Sequence, residues 1–249
     1  MRWLCCLLLA SPAVATAQSA GPKLLHFDLA ALPATRDSFV FLVQGAERGW
    51  AVWQYEIRSL EVSQQVLYTA ASELRPVEAE RLRVVLDRLT GAPLASFHHL
   101  DFFSPATDTV MLEHDLTVQA QEITGRRRVG TKRGGVTIIP VRRPFPAGTV
   151  LAAYELYASA VTNAQPGDSL AVRAYNEFGD SLVTISFVAE PPTTVTVAAG
   201  RFDVLPLRSG RFRLYTTRDA PRRVVKGTWL DAPFSFELVH SGPVVPAPE

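Results

Sequence analysis

The chain has 249 residues, with 25 lysines and arginines against 24 aspartates and glutamates. That balance argues against bulk nucleic-acid binding, which leaves a basic footprint. A chain of this length forms one or two domains and buries about 70% of its unfolded surface without covalent staples. Beyond the N-terminal leader no stretch is long and apolar enough for a membrane-spanning helix.

The N-terminus carries Arg2, an apolar run at residues 3–10 and a small-x-small triplet, Ala15-Thr16-Ala17. This pattern predicts a secretory signal peptide over residues 1–17, cut after Ala17, and hence an exported protein, periplasmic or extracellular. Pro12 and the lack of amphipathicity argue against a buried N-terminal helix. Cys5 and Cys6 both lie in the leader, so the expected mature chain has neither disulfide nor thiolate chemistry. Arg2-Trp3-Leu4 does not supply the small residues that precede a lipid-anchored cysteine.

Residues 18–38 read as a flexible segment with at most one edge strand at 24–29, and residues 39–240 as one β-rich domain. Its first strand is 39–44, then a loop at 45–49 and a strand at 50–60 with Trp53, Tyr55 and Ile57 on one face. Alternation continues at 62–70; residues 75–80 read as one helical turn or a plain connection. Strands follow at 81–89, 94–103, 110–119, 121–129 and 136–141, the last apolar on both faces, with a basic loop at 130–134. One buried and one wet face per strand is the signature of an antiparallel sheet.

Residues 149–163 predict the one helix: Val150, Ala153, Tyr154, Tyr157 and Val161 fall on one face, Thr149 caps the start, and Pro166-Gly167 follows the end. Strands resume at 170–175 and 182–189. Residues 193–239 then give the cleanest succession, broken at Ala199-Gly200, Ser209-Gly210 and Ala220-Pro221. Residues 241–249 read as a Pro-rich tail. The fold expected is mainly β: a strongly curved antiparallel sheet, a half-barrel or open barrel, with the helix on its concave face.

Three segments carry a resemblance: VVLDRLTGAPLASF at 84–97, TVTVAAGRFDVLPL at 194–207 and APRRVVKGTW at 220–229. Over about residues 39–239 the chain resembles a family of exported bacterial proteins of unknown function with V-x-V-x-A-G-x-F hairpins and a late x-P-R-x-V strand. The resemblance implies a half-barrel like those of lipoprotein carriers in the Gram-negative envelope. It implies no active site, and the basic stretch at 126–133 departs from the family pattern.

No motif specifies a reaction. There is no G-x-S-x-G, and the glycines at 130, 134 and 135 are not followed by the Gly-Lys-Ser/Thr step of a phosphate loop. His98, His99 and Asp101 lie on one strand, Glu113, His114 and Asp115 on the next. His98 and His99 point to opposite faces, and which of them His114 joins depends on a register that one residue reverses. A metal site at His99, Asp101 and His114 is the alternative to polar residues on a wet face, and the latter is preferred; no metal or cofactor is expected. Glu78 with Glu80 reads as a pair of solvated charges.

Two features bear on binding. Arg126, Arg127, Arg128, Lys132 and Arg133, with a second cluster at Arg211, Arg213, Arg218, Arg222, Arg223 and Lys226, suit an anionic lipid or an acidic partner, or else protect an exposed edge. Aromatic residues are expected on inward faces, Phe97, Phe202, Phe234 and Phe236 among them, and the candidate ligand-binding set is Trp53, Tyr55, Tyr154, Tyr157, Phe187, Phe212 and Trp229. The leading expectation is a non-enzymatic envelope protein holding a lipid-like or acylated ligand. The alternatives are an interaction module presenting a basic rim to another envelope component and, less favoured, a metal-dependent hydrolase.

Overall fold

Strands whose alternate side chains are apolar make up most of the molecule, in two antiparallel meanders. The computed structural model describes residues 23–24, 26–103, 108–151, 154–161, 163–219 and 221–244, so the expected leader lies outside them. A short β1 (Lys23–Leu24) precedes the first meander: β2 (Thr35–Val43), β3 (Ala46–Ser59), β4 (Gln64–Leu74), β5 (Glu78–Asp87), β6 (Pro93–Phe102), β7 (Val110–Gln119), β8 (Glu122–Thr131) and β9 (Gly135–Pro144). Then come β10 (Val150–Leu151) and the helix α1 (Tyr154–Ala160). The second meander is β11 (Ser169–Asn176), β12 (Ser181–Ala189), β13 (Thr193–Val197), β14 (Gly200–Ser209), β15 (Phe212–Thr217), β16 (Val224–Trp229) and β17 (Phe234–Pro243).

One pairing joins the meanders: β17 lies antiparallel to β2, with Phe236 opposite Phe41 and Leu238 opposite Phe39. The resulting sheet ends at β9 on one side and at β11, flanked by β1 and β10, on the other. β1 and β10 run parallel to β11; the other ladders are antiparallel. The sheet curls so that these two borders meet through side chains. At the β11–β12 turn, Asp180 Oδ2 accepts from Arg143 Nη2 of β9 (2.8 Å), and the Phe178 carbonyl accepts from Arg127 Nη2 of β8 (2.6 Å). Ser96 of β6 donates to buried Glu177 at 2.8 Å. This polar seam bridges the two borders, which no backbone ladder joins among the described residues.

One end of the barrel is plugged. Helix α1 has Leu156, Tyr157, Ala158 and Ala160 in the core, and Ser159 is buried with them, so the helix is enclosed on more than the one face its apolar stripe predicts. It lies by the β15–β16 turn, where Arg222 Nη1 donates to the Val161 carbonyl (2.9 Å). The Ala160 carbonyl accepts from the Asp28 N–H (2.9 Å), and Leu29 and Leu32 follow into the core. Arg88, beside the β5–β6 turn, fixes this segment by donating to the Ala30 carbonyl (3.0 Å).

Several expectations need correction. The helix begins at Tyr154: Val150 and Leu151 pair with Ala174 and Tyr175 in β10, where β-branched Val150 suits a strand. The N-terminal segment is packed from Phe27 onward, β2 begins at Thr35, and β17 carries the expected tail through Pro243. Arg126, Arg127 and Arg128 lie in β8 as the strand at 121–129 predicts, but that strand runs on through Gly130 and Thr131, residues expected in the basic loop. Phe97 is on the outer face with Arg83 above its ring (6.0 Å), because His98 takes the inward position.

Candidate functional site

At the end opposite the helix, the concave face is not filled. A groove of about 370 Å³ lies there, lined by Phe41, Ala51, Trp53, Ser72, Glu78, Glu80, Ser209, Phe212, Trp229, Phe234 and Phe236. Strand alternation places them. Five adjoining strands, β15, β16, β17, β2 and β3, bring their aromatic inward positions together, and β4 and β5 face them with Ser72, Glu78 and Glu80.

The aromatic wall is a connected stack. Ring centroids lie 5.1 Å apart for Trp53 and Phe236, 4.4 Å for Phe212 and Trp229, and 4.4 Å for Trp229 and Phe234. Phe41 joins at 5.4 Å from Phe234. Gly227 makes the floor possible: a Cβ there would stand 2.2 Å from Cε1 of Phe236, so only glycine lets that ring lie against β16. Trp53, Phe41 and Phe236 are buried, whereas Trp229 at the rim is 37% exposed.

The opposite wall is acidic. Glu80 Oε1 meets His98 Nε2 at 2.6 Å, and its Oε2 accepts a long bond from Ser72 (3.4 Å). Burial, then the charge of Glu80, pushes the Glu78 carboxyl above the usual range. Among the described residues no cation pairs with Glu78, and no lysine, arginine or histidine lines the groove.

Of the expected ligand-binding set, Trp53, Phe212 and Trp229 come together in this groove. Tyr55 lies deeper, stacked on Tyr68 with centroids 5.2 Å apart, and Phe187 is buried in β12. Tyr157 is buried on α1, its hydroxyl accepting from the Leu151 N–H (3.3 Å), and burial raises its pKa. Tyr154 opens the helix, but its side chain lies outside the described residues. Sequence reasoning missed Phe41, Glu78 and Glu80. The signal was present: Glu78 and Glu80 share parity with the core residues Leu82, Val84 and Leu86.

The basic residues do not form one face. Arg126 pairs with Asp115 (3.4 Å), Arg128 with Glu113 (2.7 Å) and Lys132 with Asp101 (3.5 Å). Arg127 points inward to the seam, and the Arg133 N–H donates to Asp108 (2.5 Å). In the second cluster Arg211 meets Asp231 (2.5 Å), Arg213 meets Glu190 (2.7 Å) and Lys226 meets Glu237 (2.7 Å).

The histidines divide between faces, and this corrects the metal alternative. His114 is opposite His98, with both buried, so neither belongs to a wet face. His99 and Asp101 lie outside with Glu113, 3.6 Å and 3.1 Å from the His99 ring nitrogens. The described residues hold no group of three or more potential metal ligands. Phe178 packs at an angle between His98 and His114, its ring centroid 4.5 Å from each. Burial, then His98 and Arg127, lowers the His114 pKa to about 3, so this ring is held neutral under the seam.

No family model matches the sequence, and no curated protein matches it. Among solved structures, the chain is similar to the crystal structure of a β-barrel-like protein of domain of unknown function DUF1849 from Brucella abortus. The TM-score is 0.51 at 10% identity, over 86% of this chain and 99% of that one. The likeness is one of fold: a large, curled, mainly β sheet that approaches a barrel.

Proposed function

We propose that this is a non-enzymatic, exported envelope protein that shelters a lipid-like or acylated ligand in the groove at the open end of its barrel. One observation carries the reading: a connected wall of six aromatic rings, with Trp229, Phe212 and Phe234 part-exposed at its rim and Phe41, Trp53 and Phe236 buried behind them, lines an open groove on the concave face. At about 370 Å³ the groove sits near the small end of ligand pockets, which run from roughly 300 to 1,000 Å³. It suits one chain or ring system better than a two-tailed lipid. Each 100 Å² of apolar surface withdrawn from water contributes about 2.5 kcal/mol before ordering costs. Export rests on the leader pattern at residues 1–17, and the curled sheet is in keeping with a lipoprotein-carrier-like half-barrel.

The test is titration with the neutral fluorophore N-phenyl-1-naphthylamine. Saturable one-site enhancement is expected, weakened at least about tenfold in a Phe212→Ser, Trp229→Ser double variant that still melts cooperatively. Equal binding by that variant would place the site elsewhere and sink the reading. N-terminal sequencing of protein recovered from the cell envelope is expected to begin at Gln18; a chain retaining Met1 in the cytoplasm counts against export.

A further inference from the structure

The groove is not a neutral greasy slot, and its polarity has a sign. Its walls combine two chemistries that favour the same kind of ligand. Aromatic faces, those of tryptophan most of all, attract a cation through the ring quadrupole. Across from Trp53 and Trp229, β5 presents Glu78 and Glu80 on the inward face, two residues apart.

The two carboxylates are not equivalent. Glu80 is engaged on one oxygen by His98 at 2.6 Å and on the other by Ser72 at 3.4 Å. Glu78 is half-buried beside it and has no cationic partner among the described residues. Burying a carboxylate next to a like charge costs free energy that a bound cation would return. An anionic head group would meet the reverse: added repulsion and no donor of positive charge in the lining.

We infer that the ligand of this groove is a cationic amphiphile: an alkyl or aryl ammonium whose apolar part lies on the Trp53–Phe236–Trp229 wall and whose charged nitrogen faces Glu78. The inference rests on the groove-binding reading above and names its ligand class. Fatty acids and phosphate-bearing single-chain lipids are discriminated against by the sign of the charge, neutral alcohols by the lost ion pair.

Three probes with one tail separate the possibilities: octyltrimethylammonium, octanol and octanoate, titrated below aggregation against the purified protein, with intrinsic tryptophan fluorescence as the readout. The ammonium should bind about tenfold tighter than the alcohol, with octanoate weakest. In Glu78→Gln the ratio of ammonium to octanol affinity should fall most of the way to one, and a ratio equal to that of the wild type overturns the assignment. A thermal melt of this variant at or above the wild-type midpoint shows that the fold is intact. If all three probes bind alike, or octanoate binds best, the ammonium assignment is overturned and the groove reading survives. If none binds and N-phenyl-1-naphthylamine is also ignored, both fall together.

Discussion

The two ends of this barrel are built from the same alternating strands and reach opposite results. At the plugged end, Tyr55, Tyr68, Leu86, Leu116 and Ile123 are buried, because α1 and the segment bearing Leu29 and Leu32 supply apolar partners. At the open end nothing in the described chain does so. Phe212 and Phe234 are only partly buried, and Trp229 is 37% exposed. Inward parity alone does not make a core; a second layer has to cover it. Where that layer is missing, the same pattern makes a binding surface.

The comparison can be broken by mutation. The largest effect is expected at the plugged end: Leu156→Ala, at a fully buried position, should cost about 2–5 kcal/mol in urea denaturation. A loss under about 1 kcal/mol would mean that the helix is a loosely held cover rather than a plug.

Next is acid. With its folded pKa at about 3 against an ordinary 6.5, His114 stays neutral in the native barrel while the unfolded chain takes up a proton. Stability present above pH 6.5 is therefore lost as pH falls from 6.5 towards 3, by about 1.4 kcal/mol per unit from this residue alone. His114→Phe should flatten the pH profile of the melting temperature over that window, and an unchanged slope assigns the acid sensitivity elsewhere.

Gly227→Ala should cost about 1–3 kcal/mol, because the new methyl must displace the Phe236 ring. It should also change N-phenyl-1-naphthylamine affinity, an effect that Leu156→Ala should not have if the two ends are independent. At the seam, Asp180→Asn weakens the ion pair to Arg143 and should cost about 1–2 kcal/mol. Hydrogen exchange should quicken in β9 and the β11–β12 turn before anywhere else. The smallest stability change is expected for Trp229→Ala, about 1 kcal/mol, with ligand binding nonetheless weakened. A large destabilisation there would show that the rim belongs to the core after all.

Much of the sheet was legible because period-two alternation is local and strong: Trp53 and Tyr55 against Gln54 and Glu56 in β3, or Val66 and Tyr68 against Gln65 and Thr69 in β4. The same parity put Trp53, Phe212 and Trp229 on one concave side. Legibility ended where meaning depends on distant neighbours. Val136, Ile138 and Ile139 look like a strand buried on both faces, yet β9 is the border of the sheet and these residues are 49%, 60% and 38% exposed. Val150 fits a helical stripe as well as a strand, and β11 decided for the strand. Glu78 and Glu80 follow Pro76 in a charged run that reads as a connection, and their parity with Leu82, Val84 and Leu86 gains meaning only once β5 is seen to start at Glu78 and pair with β4. Arg127 looks like its neighbours Arg126 and Arg128, but it alone serves the seam.

The pairing of β17 with β2 places a constraint on how the molecule is made. Val43 must wait for Phe234, almost the whole chain later, before its edge is covered. Until the final strand is available to pair, the first meander carries a bare border with its aromatic side chains uncovered, a species prone to self-association. A shortened product ending before Phe234 would inherit that condition permanently. Conversely, because Pro243 lies beside Thr35, a chain re-cut at the β8–β9 turn, with Pro243 joined by a flexible linker to residue 26 so that Leu29 and Leu32 are kept, is expected to assemble the two meanders with the slowest contact made far more local.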